Sequence, residues 1–219
     1  MAGTRRAGGQ PVVVRVDMDE HSEQEGGTMD FSQVESLVRE AIQQVLVNDR
    51  YLIVKDLNER SISHWLAVYL SERFRGFNVD CEYNGNADRR NRKPKYIQML
   101  KNVARELGIL SDSELISDDE HVRRKLYPDI VIHRRDGNGP ENNLLIIEMK
   151  KSTSQEDDRW DQEKLRRMTS SDYGNTFPYC FGAFVRFRTG RNPGCDNIIW
   201  FQNGMEITGE QHRDSFRVE

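Results

Sequence analysis

The sequence predicts an α/β domain in which a central mixed β-sheet is flanked by helices. Three observations carry this. Val34, Leu37, Val38, Ala41, Ile42 and Val45, and later Ile62, Trp65, Leu66, Tyr69, Leu70 and Phe74, recur at helical spacing. Ile130-Val131-Ile132 and Leu144-Leu145-Ile146-Ile147 are apolar at consecutive positions, as in strands covered on both faces. A charged stretch over residues 155–169, with Trp160, Leu165 and Met168 at helical spacing, then separates these strands from an aromatic, alternating run over 179–188.

Taken in order, residues 1–28 are rich in Gly, Arg, Asp and Glu and read as a flexible tail, with Val12-Val13-Val14-Arg15-Val16 at most a stray strand. Met29 opens the first clean element and is a candidate alternative start. Residues 29–219 read as one domain. Asp30, with Gln33 three residues on, has the form of a capping box for the first helix. Asn58 caps the second and Gly76 ends it. Phe77–Tyr83 alternates as a strand with Val79, Cys81 and Tyr83 on one face. Ile97, Leu100, Val103, Ala104 and Leu107 predict a further helix stopped by Gly108, and the acidic, Ser-rich residues 111–120 a loop or mobile insertion. Strands over 129–134 and 144–150, joined by the turn Asp136-Gly137-Asn138-Gly139-Pro140, form an antiparallel hairpin. Asn197–Phe201 is a late strand, which Asn203-Gly204 turns into Met205-Glu206-Ile207.

Composition narrows the function classes. At 219 residues, 36% hydrophobic and 31% charged, the chain has room for one core. No apolar run approaches the ~20 residues of a membrane span, and no apolar segment follows Arg5 and Arg6, so neither a membrane partner nor a secretory signal is expected. Cys81, Cys180 and Cys195 form no disulfide framework and no metal spacing, which points to a reducing cytoplasm. The net charge of −4 does not announce nucleic acid, but the cations cluster. Arg89, Arg90, Arg92, Lys93 and Lys95 have no acid among them. Arg123-Arg124-Lys125 and His133-Arg134-Arg135 flank the Tyr127-Pro128-Asp129 strand mouth. Such runs are either solvated loops or a surface for a polyanion.

The acids beside these runs carry the chemistry. Asp129 stands at the mouth of one apolar strand. Glu148 and Lys150 lie near the end of the next, two residues apart and therefore on one face, roughly 6–7 Å from each other along the backbone. Two carboxylates and an ammonium aimed at one place make a divalent-metal site with a built-in cation, the chemistry of phosphodiester hydrolysis. The plain alternative is an ion pair closing a strand end. Glu59 shares the inward face of the second helix with Ile62 and Leu66, either as favourable charge at a helix N-terminus or as a third acid for the metal. Lys151 points away from Lys150 and reads as solvated, and His64 reads as a packed helix residue.

With helix, strand, strand, strand, helix, strand in that order, and with Glu59, Asp129 and Glu148-Met149-Lys150 on successive elements, the chain resembles the PD-(D/E)xK nuclease superfamily. The resemblance runs from about residue 55 to 190, with an inserted segment at about 86–126. It implies a restriction-endonuclease-like core (αβββαβ). Asp129, Glu148, the Met149 carbonyl and, in many members, the acid at Glu59 would hold Mg²⁺, with Mn²⁺ substituting. Lys150 would position the attacking water or stabilise charge on the phosphate. Lys164 is an accessory near the site, and His133 and Arg134 are substrate contacts beside Arg89, Arg90, Arg92, Lys93 and Lys95. The family's habits favour DNA over RNA, in repair, restriction or mobile-element defence, by a homodimer or a subunit of a larger complex. They also include catalytically silent modules that bind nucleic acid or protein.

Overall fold

Helix α1 runs from Phe31 to Asn48, and its first turn is closed by reciprocal bonds between Asp30 and Gln33, at 2.9 Å to the Gln33 amide and 3.0 Å to the Asp30 amide. This is seen in a computed structural model, which describes residues 29–84, 95–135, 137, 139, 141–172, 175, 178–207 and 216–217. The tail over 1–28 and the basic residues Arg89, Arg90, Arg92 and Lys93 lie outside the described residues. A short helix α2 (Arg50–Val54), not expected from the sequence, leads to α3 (Glu59–Arg73), which is capped by Asn58 through the Arg60 amide at 2.9 Å. Gly76, at φ +87°, takes the left-handed conformation that turns the chain out of this helix. Trp65 is 39% exposed and His64 is exposed, so both sit on the flank of α3 rather than in its buried stripe.

The chain then enters β1 (Asn78–Cys81), leaves the main sheet after it, and returns as β4 (Ile130–His133). β4 pairs antiparallel with β1, with Val79 opposite Ile132, and with β5 (Asn143–Lys151), with Ile130 opposite Ile147. Helix α6 (Arg159–Met168) carries the chain to β6 (Phe181–Arg188), parallel to β5, since a parallel neighbour requires a crossover. β7 (Gly194–Gln202) and β8 (Met205–Ile207) continue antiparallel through Asn203 and Gly204, both at positive φ as a tight hairpin turn demands. The sheet order is β1-β4-β5-β6-β7-β8, with β9 (Phe216–Arg217) also on β7.

This is an α/β architecture with a mixed central sheet between two helical layers. On one face α1 and α3 bury Val38, Ile42, Leu66 and Leu70 against Ile132, Ile147 and Val185. On the other, Leu165 and Met168 of α6 pack on Val131, Ile146 and Phe184. The consecutive apolar residues of β4 and β5 are explained by these two covers.

The excursion corrects two expectations. Residues 97–107 do not form one helix: Tyr96–Leu100 is strand β2 and only Lys101–Glu106 is helix (α4). Ile97 and Met99, two apart, are buried while Tyr96 and Leu100 face out, a strand alternation that the apolar spacing concealed. Nor is 111–120 a loop. Helix α5 (Asp112–Ile116) has a capping box between Ser111 and Glu114, and β3 (His121–Lys125) follows and pairs antiparallel with β2. The excursion is tied down at its foot. Lys95 N donates to Asn84 Oδ1 at 2.6 Å, Leu126 N donates to the Lys95 carbonyl at 3.1 Å, and Ile97, Met99, Val122 and Leu126 join the α6-side core.

Gly182 permits the docking of α6. A Cβ there would meet Thr169 Cγ2 at 3.1 Å and Leu165 Cβ at 3.4 Å. Gly182→Val is expected to destabilise the fold by about 1–3 kcal/mol through overpacking. Urea unfolding checks this, and an unchanged midpoint would contradict the close approach.

Candidate active site

β4 begins opposite Ile147, so the β5 amides beyond that point that face the β4 side, those of Met149 and Lys151, lack a strand partner, while β6 pairs the other edge. Two carboxylates take the place of the missing strand. Asp129 Oδ2 accepts from Met149 N at 2.6 Å, and Glu59 Oε2 from Lys151 N at 3.0 Å. Extended by one residue, the register that pairs Ile130 with Ile147 sets Asp129 across from Glu148 on the α6 face. Opposed residues of an antiparallel pair have Cβ atoms about 4.5–5.5 Å apart. Asp129 and Glu148 are therefore neighbours, and the charge of Asp129 raises the Glu148 carboxyl.

Helix α6 supplies what faces them. Lys164 Nζ lies 2.8 Å from Glu148 Oε2 and 2.7 Å from Asp161 Oδ1. Asp161 Oδ2 is 3.3 Å from Lys150 Nζ, which also pairs closely with Glu156. Arg186, beside Lys150 in the parallel register, pairs with Asp158 at the start of α6. Glu148 is 2% exposed, Asp161 6%, and Lys150 and Lys164 9% each. Six carboxylates (Glu59, Asp129, Glu148, Glu156, Asp158 and Asp161) thus surround three cations, Lys150, Lys164 and Arg186.

The excess of acid shows in the direction of the pKa shifts. Burial pushes the Glu148 carboxyl well above the ordinary range; Lys164 pulls it back, and the charges of Asp129 and Asp161 push it further. Burial also raises Asp129 to about 6, against the Met149 amide and Lys164, with Glu59 and Asp161 adding to the rise. For Lys150, burial opposes the charge, but Glu156, Asp161 and Glu59 outweigh it and hold the ammonium above the usual lysine value.

The remaining expected residues divide sharply. Met149 is buried on the α1/α3 face, its backbone at the site. Glu59 reaches the end of β5 as a backbone cap and a charge near Asp129. Lys164 is no surface contact for a substrate; it is the buried partner of Glu148. Lys95 is also inside, 2% exposed, donating to Tyr179 Oη at 2.8 Å and lying 5.3 Å from the Tyr83 ring centroid, with burial lowering its pKa to about 8. His133, 2% exposed, pairs with Asp80 at 2.9 Å and is buried in the sheet instead of meeting substrate. Arg134 stacks over Phe77 at the hairpin end, roughly 16 Å along the chain from Asp129. Lys151 is not solvated either, since it ties Asp56 at 2.9 Å. Asp161 and Glu156 were missed. The Asp161/Lys164 spacing of three on a charged helix was their one signal.

No family model, curated protein or solved structure matches the chain. Among the described residues no helix is long and apolar enough to cross a membrane. Likewise, no three His, Cys, Asp or Glu side chains there are grouped as a metal cluster. The donors nevertheless suit a hard divalent ion of the kind that uses one or two carboxylates and keeps its waters. Glu148 Oε1 is buried with no hydrogen-bond partner among the described residues, the acids outnumber the cations, and Asp129 stands opposite.

Without metal and between about pH 4 and 6, folded Asp129 keeps a proton that the unfolded chain, with a carboxyl near 3.8, has already released. Stability therefore falls as pH rises from about 4 through 6. Asp129→Asn accepts the same amide bond and never ionises. In chelator-treated buffer it is expected to melt above the wild type at pH 7.5 and with it at pH 4.5. A lower melting temperature at pH 7.5 would show that the ionised carboxylate stabilises the fold.

Proposed function

We propose that this chain is a metal-dependent nuclease of the PD-(D/E)xK type, hydrolysing phosphodiester bonds in DNA. The observation that carries the reading is the opposition of Asp129 and Glu148 at the open end of β4 and β5, with Lys150 on the same face of β5. The sequence of α3, β1, β4, β5, α6 and β6, with an excursion between the first two strands, supports a restriction-endonuclease-like core.

Asp129, Glu148 and the Met149 carbonyl would hold a divalent ion, which supplies Lewis acidity toward a phosphoryl oxygen and lowers the pKa of a bound water. Lys150 stays charged, held by Glu156 and Asp161, so it stabilises negative charge on the phosphate and does not serve as a neutral base. Lys164 offsets part of the Glu148 charge and fixes its orientation, and Asp161 orients both lysines. Glu59 and Asp129 hold the backbone of β5 in place where no strand does. The preference for DNA rests on the family resemblance.

One observation favours a second reading. The 2.8 Å contact of Lys164 with Glu148 closes the pair without any ion, as in a nuclease fold that binds nucleic acid or a partner without cutting. Cleavage separates the two. Supercoiled plasmid is expected to be cut in Mg²⁺ or Mn²⁺, and Asp129→Ala and Lys150→Ala, with melting curves showing a folded chain, are expected to lose about 10²-fold or more of the rate. Uncut plasmid in both metals would leave the silent module. In addition, Mg²⁺ is expected to raise the melting temperature of the wild type and not of Asp129→Ala; an equal shift in both would remove Asp129 from the metal site.

A further inference from the structure

The excursion places one face of the β2–β3 ribbon in solvent. Register pairs Tyr96 with Lys125, Gln98 with Arg123 and Leu100 with His121, and these six side chains alternate with the buried Ile97, Met99 and Val122. Tyr96, Leu100, His121, Arg123 and Lys125 are all exposed. The inward cation of the ribbon is fully engaged: Arg124 holds Glu114 through both terminal nitrogens at 2.7 Å. The side chains of Arg123 and Lys125 make no ion pair or hydrogen bond among the described residues; the Arg123 carbonyl accepts from the Arg124 side chain at 2.9 Å. A solvated ribbon face is ordinarily polar, so polarity alone decides nothing; position and sign do. The basic, aromatic end, Lys125 and Tyr96, is the end from which the chain runs through Tyr127, 57% exposed, into Asp129. Four residues span at most about 14 Å, the length of roughly four nucleotides along one strand. The acids Asp118, Asp119 and Glu120 sit at the opposite end, away from the site.

We propose that this ribbon face is the docking surface that carries DNA to the site, with Arg123 and Lys125 neutralising backbone phosphates and Tyr96 offering its ring to a base or sugar. This rests on the nuclease reading and adds the surface to it. The charge gradient along the ribbon would hold a polyanion at the Asp129 end and repel it from the far tip. Among the described residues, α4, the α6-side core and, through Arg124 and Glu114, α5 lie behind the ribbon, on the face opposite the outward one.

The test is binding of a fluorescein-labelled 20-base-pair duplex to the full chain in Ca²⁺, across a series of salt concentrations. Arg123→Gln/Lys125→Gln is compared with Arg50→Gln/Arg75→Gln, which removes the same charge from exposed positions on the α1/α3 side. The ribbon pair is expected to weaken binding and lower the slope of log K against log salt by about 1.8, or 0.9 per lost phosphate contact; the remote pair is expected to bind as wild type. Equal binding by the ribbon pair and wild type, equal weakening by both pairs, or no binding by wild type each overturns the proposal. Plasmid cleavage in Mg²⁺ is read in parallel. A wild type that binds through the ribbon but never cuts removes the nuclease reading and keeps the ribbon, whereas a ribbon pair that binds and cuts like wild type does the reverse.

Discussion

Glu148 follows four consecutive apolar residues of β5 and is 2% exposed, and something must hold its charge. A carboxylate taken out of water costs several kcal/mol even after the protein relaxes, a large part of the 5–15 kcal/mol by which a domain is ordinarily stable. Lys164 offsets that cost only in part, because Asp161 draws on the same ammonium at 2.7 Å. Lys150 is likewise divided between Glu156 and Asp161. Each lysine serves two acids, Asp129 adds another, and Glu148 Oε1 keeps no partner among the described residues. Apolar residues of similar volume would serve stability as well or better. Under the proposed reading, the arrangement is a place prepared for a cation.

The fold sets that place by where elements stop. β4 begins one residue after Asp129, leaving two β5 amides without a strand, and the carboxylates of Asp129 and Glu59 take them. Gly182 lets α6 come close enough to bring Lys164 and Asp161 over β5. The excursion returns to the sheet at the same point, so the solvent-facing ribbon and the acids share one short connection. Thus α1 and α3 close the opposite face of the sheet, and the polar chemistry collects on the α6 side.

Period-two arithmetic was enough to put Glu148 and Lys150 on one face of β5, because side chains alternate strictly along a strand; the register that sets Asp129 across from Glu148 belongs to the hairpin pairing and is not fixed by alternation. The Asp30–Gln33 capping box and the Asn203-Gly204 turn were legible because they depend on contacts within a few residues. The ribbon was not. Ile97, Leu100, Val103, Ala104 and Leu107 satisfy a helical period across what is a strand followed by a helix, and the partner strand β3 is more than twenty residues away. The capping box of Ser111 and Glu114 was present in the sequence, but its acidic surroundings read as a loop. Lys95, His133 and Lys164 show the limit on charge. A cation in a basic run is read as exposed, whereas Tyr179, Asp80 and Glu148, all distant in sequence, draw these three inside.

The claim beneath all of this is that the acid excess around Glu148 is a metal seat. A crystal of the full chain grown in Mn²⁺, with anomalous data collected near the manganese edge, measures it directly. The account requires one anomalous peak within coordination distance of Asp129 and Glu148, with the Met149 carbonyl as a further ligand. Density without such a peak, and Lys164 still at 2.8 Å from Glu148, would contradict it.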